Sequence, residues 1–126
     1  MMYKREESPL HKKSHSFAVK VVNNVKILLN DWKLKDLYNQ LLRSGTSIAA
    51  NIREAEFAQS PSDFISKLSI ALKECNETMY WLDLLFDSNN LPESTYRELQ
   101  ADCNEIISLL IASVRTAKSR LTKNNE

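Results

Sequence analysis

RSGTSIAANIREAE, residues 43–56, holds the single glycine of the chain, Gly45, among Ser44, Thr46, Ser47, Ala49, Ala50 and Asn51. Leu34, Leu37, Leu41, Gly45, Ile48 and Ile52 return at spacings of three and four, the pattern of a helix that buries one seam in a bundle. A glycine inside a helix costs about 1 kcal/mol against alanine. A helix that keeps one therefore uses the missing side chain. Two uses fit these residues: close packing of a neighbouring helix, or a polar network of Arg43, Asn51, Arg53 and Glu54 beside that contact.

Outward from this segment, helix two runs from near Leu34 to about Glu56. Ser60 as N-cap, Pro61 at the first helical position and Asp63 three residues on then open helix three, which runs to about Asp87. Ser88, Asn89, Asn90, Leu91 and Pro92 make the last turn. Helix four carries Tyr96, Leu99, Cys103, Ile106, Leu110, Val114 and Leu121 and ends near Leu121 or Thr122. Upstream, Ser14 or Ser16 is the expected N-cap of helix one, which reaches about Asn30 with Phe17, Val21, Val25 and Leu28 on one face. Asp31 and Trp32 lead into the next turn.

A chain of 126 residues is one ordinary domain. The expected layout is a flexible basic segment at 1–13, a bundle over 14–122 and a tail at 123–126. Short connections force neighbouring helices to be antiparallel. The fold class is therefore all-α, an antiparallel up-down-up-down four-helix bundle.

No run approaches the roughly 18 to 20 apolar residues of a membrane span, and MMYKREESPLHKKSHS lacks the apolar centre of a signal peptide. No membrane partner and a cytoplasmic location are expected. Cys75 and Cys103 fall on apolar faces and read as reduced core residues. Chemistry has no visible owner. His11 and His15 lie at or before the start of helix one, so neither a Glu-x-x-His metal pair nor the arginine-then-histidine arrangement of helical RNases is available. A single glycine excludes glycine-rich phosphate loops, and no Cys/His constellation supports zinc or a nucleophile. Glu74 and Glu77, at i and i+3, read as salt-bridge partners for Lys73 or a neighbouring subunit. No enzyme activity and no cofactor are expected.

The net charge of +1 hides a polarised distribution. Residues 1–20 carry five basic and two acidic side chains and residues 111–126 four and one, so each end holds +3 and the middle −5. The topology brings the start of helix one and the end of helix four to one end of the bundle. Lys12, Lys13, Lys20, Arg115, Lys118 and Arg120, joined by Arg53, would form a patch attracting a polyanion. The alternative is a pair of solvated, fraying termini.

Helices three and four carry more apolar surface than one core needs. Phe64, Leu68, Ala71, Cys75, Met79, Leu82 and Phe86 share one side of helix three. Ile70, Tyr80, Trp81 and Leu84 lie on another, and Ile107 and Ile111 widen the apolar arc of helix four. A self-association surface is expected there, with Glu77 among its polar members. The competing explanation is a broad core with aromatics partly exposed at its edges.

QLLRSGTSIAANIREAE and SPSDFISKLSIALKECNETMYWLDLL, with the phenylalanine of HSF, resemble the signature of the four helix bundle protein family. That family includes proteins encoded by intervening sequences in bacterial large-subunit ribosomal RNA genes and accessory proteins of diversity-generating retroelements. The resemblance covers about residues 14–121. Arg43, Ser47, Asn51, Ile52, Glu54, Ser60, Asp63, Phe64 and Glu77 fall where its pattern expects them, and Arg43, Ser47, Asn51, Glu54, Asp63 and Glu77 are its polar network. It implies a ring-like homopentamer and, as in the accessory relatives, a basic surface that binds nucleic acid and a reverse transcriptase. Many members have an alanine-glutamate-glycine run after the asparagine-isoleucine pair; here Arg53, Glu54 and Ala55 follow, so a differently built turn before Ser60 is expected. Two functions compete: an oligomer that binds structured RNA through its basic end, and an oligomeric protein-interaction scaffold that binds no nucleic acid.

Overall fold

The computed structural model describes residues 8–124. They form four helices, α1 (Pro9–Leu28), α2 (Lys35–Glu56), α3 (Pro61–Asp87) and α4 (Glu93–Asn124), with a 3₁₀ turn at Trp32–Leu34 leading into α2. No strand occurs among the described residues. α1 packs on α2 and α4, and α3 on α2 and α4, which closes the antiparallel up-down-up-down bundle. Residues 1–7 of the N-terminal segment, and residues 125–126 of the tail, lie outside the described residues. Lys123 continues α4 past the expected end at Leu121 or Thr122.

α1 starts earlier than its periodicity suggests. Ser8, not Ser14 or Ser16, is the N-cap: its side chain accepts from the His11 N–H at 3.3 Å, and Pro9 takes the first helical position. This repeats the Ser60–Pro61 signal that opens α3, where Ser60 Oγ accepts from Asp63 N–H at 3.0 Å and Asp63 Oδ2 from Gln59 N–H at 3.2 Å. Residues 9–13 are thus helical rather than part of a flexible segment. Ser14 is buried and donates to the His11 carbonyl at 3.1 Å, an ordinary mid-helix arrangement for serine.

The packing reading of Gly45 holds. A Cβ there would stand 3.0 Å from both methyls of Val21, well inside the 3.5–4.0 Å of a comfortable carbon contact. α1 is the helix brought close. Ser44, one residue earlier, turns the other way: its hydroxyl is hydrogen-bonded to that of Thr78 on α3 at 2.9 Å, both fully buried. Small side chains on α2 thus serve two neighbours. Val21, Leu41, Ile48, Leu82, Leu99 and Leu110 fill the core between them, each without exposed surface.

Cys75 and Cys103 are free and buried at the α3–α4 contact, where Cys103 Sγ donates to the Cys75 carbonyl at 3.6 Å. The neighbouring Cys103 thiol and burial push the Cys75 thiol far above the usual thiol range, so it stays protonated and unreactive. At the far end, Asn89 takes the left-handed conformation (φ 63°) after α3, a role asparagine tolerates better than other non-glycine residues. The next amide, Asn90 N–H, closes the turn on the Leu85 carbonyl at 2.8 Å.

Candidate nucleic-acid interface

One end of the bundle gathers the start of α1, the end of α2, the start of α3 and the late turns of α4. A cavity of about 230 Å³ there is lined by Leu10 of α1, Ile52 and Glu56 of α2, Phe64 of α3, and Leu109 and Ser113 of α4. Since Ser113 is level with the first turn of α1, the remaining eleven residues of α4 extend about 16 Å further at 1.5 Å each. Arg115, Lys118, Arg120 and Lys123 lie on this projection, which has no acidic residue. None of the four makes an ion pair among the described residues. Around the helix the cations occupy one broad arc, while Val114, Ala117 and Leu121 share the opposite, half-buried side.

The lysines of α1 are placed differently. Lys13 Nζ meets Glu105 at 2.5 Å, and Lys20 Nζ meets Asp102 at 2.7 Å and Glu98 at 3.0 Å. The hydrogen bonds that Lys20 donates to Asp102 and then to Glu98 raise its pKa above the ordinary value, against an opposing effect of burial. These contacts neutralise Lys13 and Lys20 along the α1–α4 groove. Lys12 lines the same groove, exposed and without an ion pair among the described residues. Arg53 sits elsewhere, on the last turn of α2 in a recess shared with Glu54, Asp63 and Lys67. The seven basic residues therefore divide: Arg115, Lys118 and Arg120 stand together on the projection, Lys12, Lys13 and Lys20 line a charge-balanced groove, and Arg53 faces the α2–α3 corner.

The polar signature residues also divide. Arg43 reaches Glu77 directly and Glu74 at 3.9 Å, while Glu77 Oε1 accepts from Trp81 Nε1 at 3.4 Å. Arg43, rather than Lys73, is thus the partner of the Glu74 and Glu77 pair. Ser47 Oγ donates to the Arg43 carbonyl at 2.6 Å and Asn51 Nδ2 to the Ser47 carbonyl at 2.8 Å, both within α2. Glu54 pairs with Lys67 at 3.4 Å, and Asp63 caps α3. A chain of local contacts runs down the α2–α3 seam, rather than one connected network.

On the apolar surfaces, Ile70, Tyr80 and Ile111 are exposed, Tyr80 by 58%. Trp81, Leu84 and Ile107 are half-buried, and Tyr80 packs edge-on against Trp81 at 5.1 Å between ring centres. Exposed Val19, Val22 and Ile27 on α1 and Trp32 beyond it add apolar surface that the sequence periodicity did not single out.

Sequence reasoning also passed over Glu56. This last residue of α2 has a side chain only 3% exposed, and its Oε1 lies 2.6 Å from His11 Nδ1. Its Oε2 is buried without a hydrogen-bond partner among the described residues. The available signal was position: a glutamate on the final turn opposes the helix dipole, so its presence there calls for another partner.

No helix among the described residues is long and apolar enough to cross a membrane. No group of three or more histidine, cysteine or acidic side chains among them is arranged to hold a metal ion.

Residues 6–112 match the family described as 23S rRNA-intervening sequence protein. Among solved structures, the chain is similar to a protein of unknown function from the S23 ribosomal protein family of Bacteroides thetaiotaomicron VPI-5482. That crystal structure, at 1.70 Å resolution, shares 51% identity with a TM-score of 0.80, over 83% of this chain and 97% of that one. No curated protein matches.

Proposed function

The chain belongs to the 23S rRNA-intervening sequence protein family, and on that footing we propose that it is a non-enzymatic homo-oligomer that binds structured RNA through the projecting basic end of α4. The observation that carries this reading is the placement of Arg115, Lys118, Arg120 and Lys123 on the last turns of α4, with no acidic residue among them. Such a helix end meets phosphates without first breaking an ion pair among the described residues. The self-association proposed for Ile70, Tyr80, Trp81, Leu84, Ile107 and Ile111 would repeat the projection, in a pentamer five times. Weak electrostatic contacts then act together at high effective concentration.

The competing scaffold reading draws on a different observation. Lys13 and Lys20 are already neutralised by Glu105, Asp102 and Glu98, while exposed apolar side chains stand on both α1 and α3. On that reading the apolar faces dock a protein partner and the cations only maintain solubility.

A salt series separates the two. Binding of a labelled RNA hairpin should weaken with a log–log slope of about −3 to −4 per protomer if four phosphates are contacted. Reversing charge at Arg115, Lys118, Arg120 and Lys123 should abolish it. Absence of binding at low salt, or binding that survives the reversal, would favour the scaffold.

A further inference from the structure

The buried acid at the basic end has an unmet requirement. Glu56 Oε1 is held by His11, but Oε2 has no hydrogen-bond partner among the described residues, and buried polar groups in folded proteins are almost always paired. Glu56 lines the apolar cavity already described and also an outer recess of about 410 Å³ that reaches Ala58, Gln59, Ser60 and Pro61. Phe64 lines both. It also lines a third recess that includes Arg120 of the basic projection. Phe64 is thus common to the recesses lined by Glu56 and to the one lined by Arg120.

We propose that this cavity takes the base of an unpaired guanine, with Glu56 reading its Watson–Crick edge. The inference rests on the RNA reading above and names what that end would recognise. Sequence-specific RNA recognition uses unstacked bases placed against aromatic rings and read by hydrogen bonds along their edges. Guanine presents two adjacent donors there, N1–H and the N2 amino group, which match the two oxygens of a carboxylate. Adenine alternates an acceptor with a donor on that edge, and each pyrimidine offers one donor. Glu56 Oε2 would accept one guanine donor, and Oε1 retains a second lone pair beside the His11 contact. Oε2 is covered in the free protein, so engagement requires the side chains over it to move aside while His11 keeps Oε1 in place. Ser113, on the cavity wall, would donate its hydroxyl to guanine O6. The ring faces meet Phe64 and Leu10, and Arg120 stands by for the adjoining phosphate.

The test varies the ligand first, so it does not depend on a variant folding. Fluorescein-labelled RNA hairpins with one loop guanine, or with inosine or adenine in its place, are titrated with the full chain at low salt. Inosine, which lacks the N2 amino group, should bind about tenfold more weakly than guanine, and adenine more weakly still. In Glu56→Gln, whose amide offers one acceptor and one donor, the preference should shift from guanine towards adenine. In parallel, guanosine monophosphate, but not adenosine monophosphate, should shift the amide resonances of Leu10, Ile52 and Phe64. Equal binding of all three hairpins overturns the guanine assignment and leaves the RNA reading standing. If no hairpin binds, the RNA reading fails, and the absence of shifts with guanosine monophosphate overturns the pocket independently.

Discussion

Gly45→Ala tests the close approach of α1 to α2 through the sign of a stability change. Two effects oppose each other. Alanine in place of a mid-helix glycine should stabilise α2 by about 1 kcal/mol. The new methyl, however, would lie 3.0 Å from both Cγ atoms of Val21, and overpacking a filled core typically costs about 1–3 kcal/mol. Val21 cannot turn away: it is fully buried, and valine in a helix has essentially one allowed rotamer. Gly45→Ala is therefore expected to destabilise the protein by about 1 kcal/mol, the overpacking cost less the propensity gain. In a Val21→Ala background the obstruction is absent, and the same substitution should stabilise by about 1 kcal/mol. The coupling between the two sites is then about 2 kcal/mol, within the range measured for residues in contact. Urea denaturation followed by circular dichroism at one fixed protein concentration measures all four corners of the cycle. A gain of about 1 kcal/mol from Gly45→Ala in the wild-type background would refute the close-approach account.

Stability should decline on the alkaline side through two further contacts. Hydrogen bonds donated to Asp102 and Glu98 raise the Lys20 pKa, so its stabilisation is complete below the ordinary value of 10.5 and disappears as pH rises through the raised folded value. The hydrogen bond from Tyr96 to Asp83 raises the phenol pKa, with the same sign. Lys20→Met should flatten the alkaline limb of a melting-temperature profile while changing stability near neutrality by less than about 1 kcal/mol; an unaltered limb would contradict this. Tyr80→Glu places a charge on the proposed self-association face, where burying it unpaired is costly. Light scattering should find a mass closer to the 14.5 kDa of one chain, and retention of the wild-type mass would show that this face is not the interface.

The two serine-proline pairs show what the sequence disclosed and what it hid. Ser60–Pro61 precedes an apolar run and was legible as a helix start. Ser8–Pro9 carries the same cap but is followed by His11, Lys12, Lys13 and His15, a polar stretch that masks the shared face of Leu10, Ser14 and Phe17. Periodicity located all four helices because core burial enforces it. It could not supply the register between α1 and α4, which decides that Lys13 and Lys20 meet carboxylates while Arg115 and Lys118 do not. Glu56 was hidden for a similar reason. Its environment comes from four different helices, and only their assembly makes it a buried acid.

The lysine–carboxylate groove also has a kinetic meaning. Contacts between α1 and α2, α2 and α3, and α3 and α4 join helices adjacent in sequence, whereas Lys13–Glu105 and Lys20–Asp102 span 92 and 82 residues. Local hairpins form quickly, and closing a long loop comes at an entropic cost that later contacts must offset. The α1–α4 groove is therefore the clasp of the molecule: three hairpins can zip in sequence, and the last step fastens the first helix to the fourth with charges that ionic strength weakens. Added salt should slow or loosen that final fastening while leaving the hairpins intact.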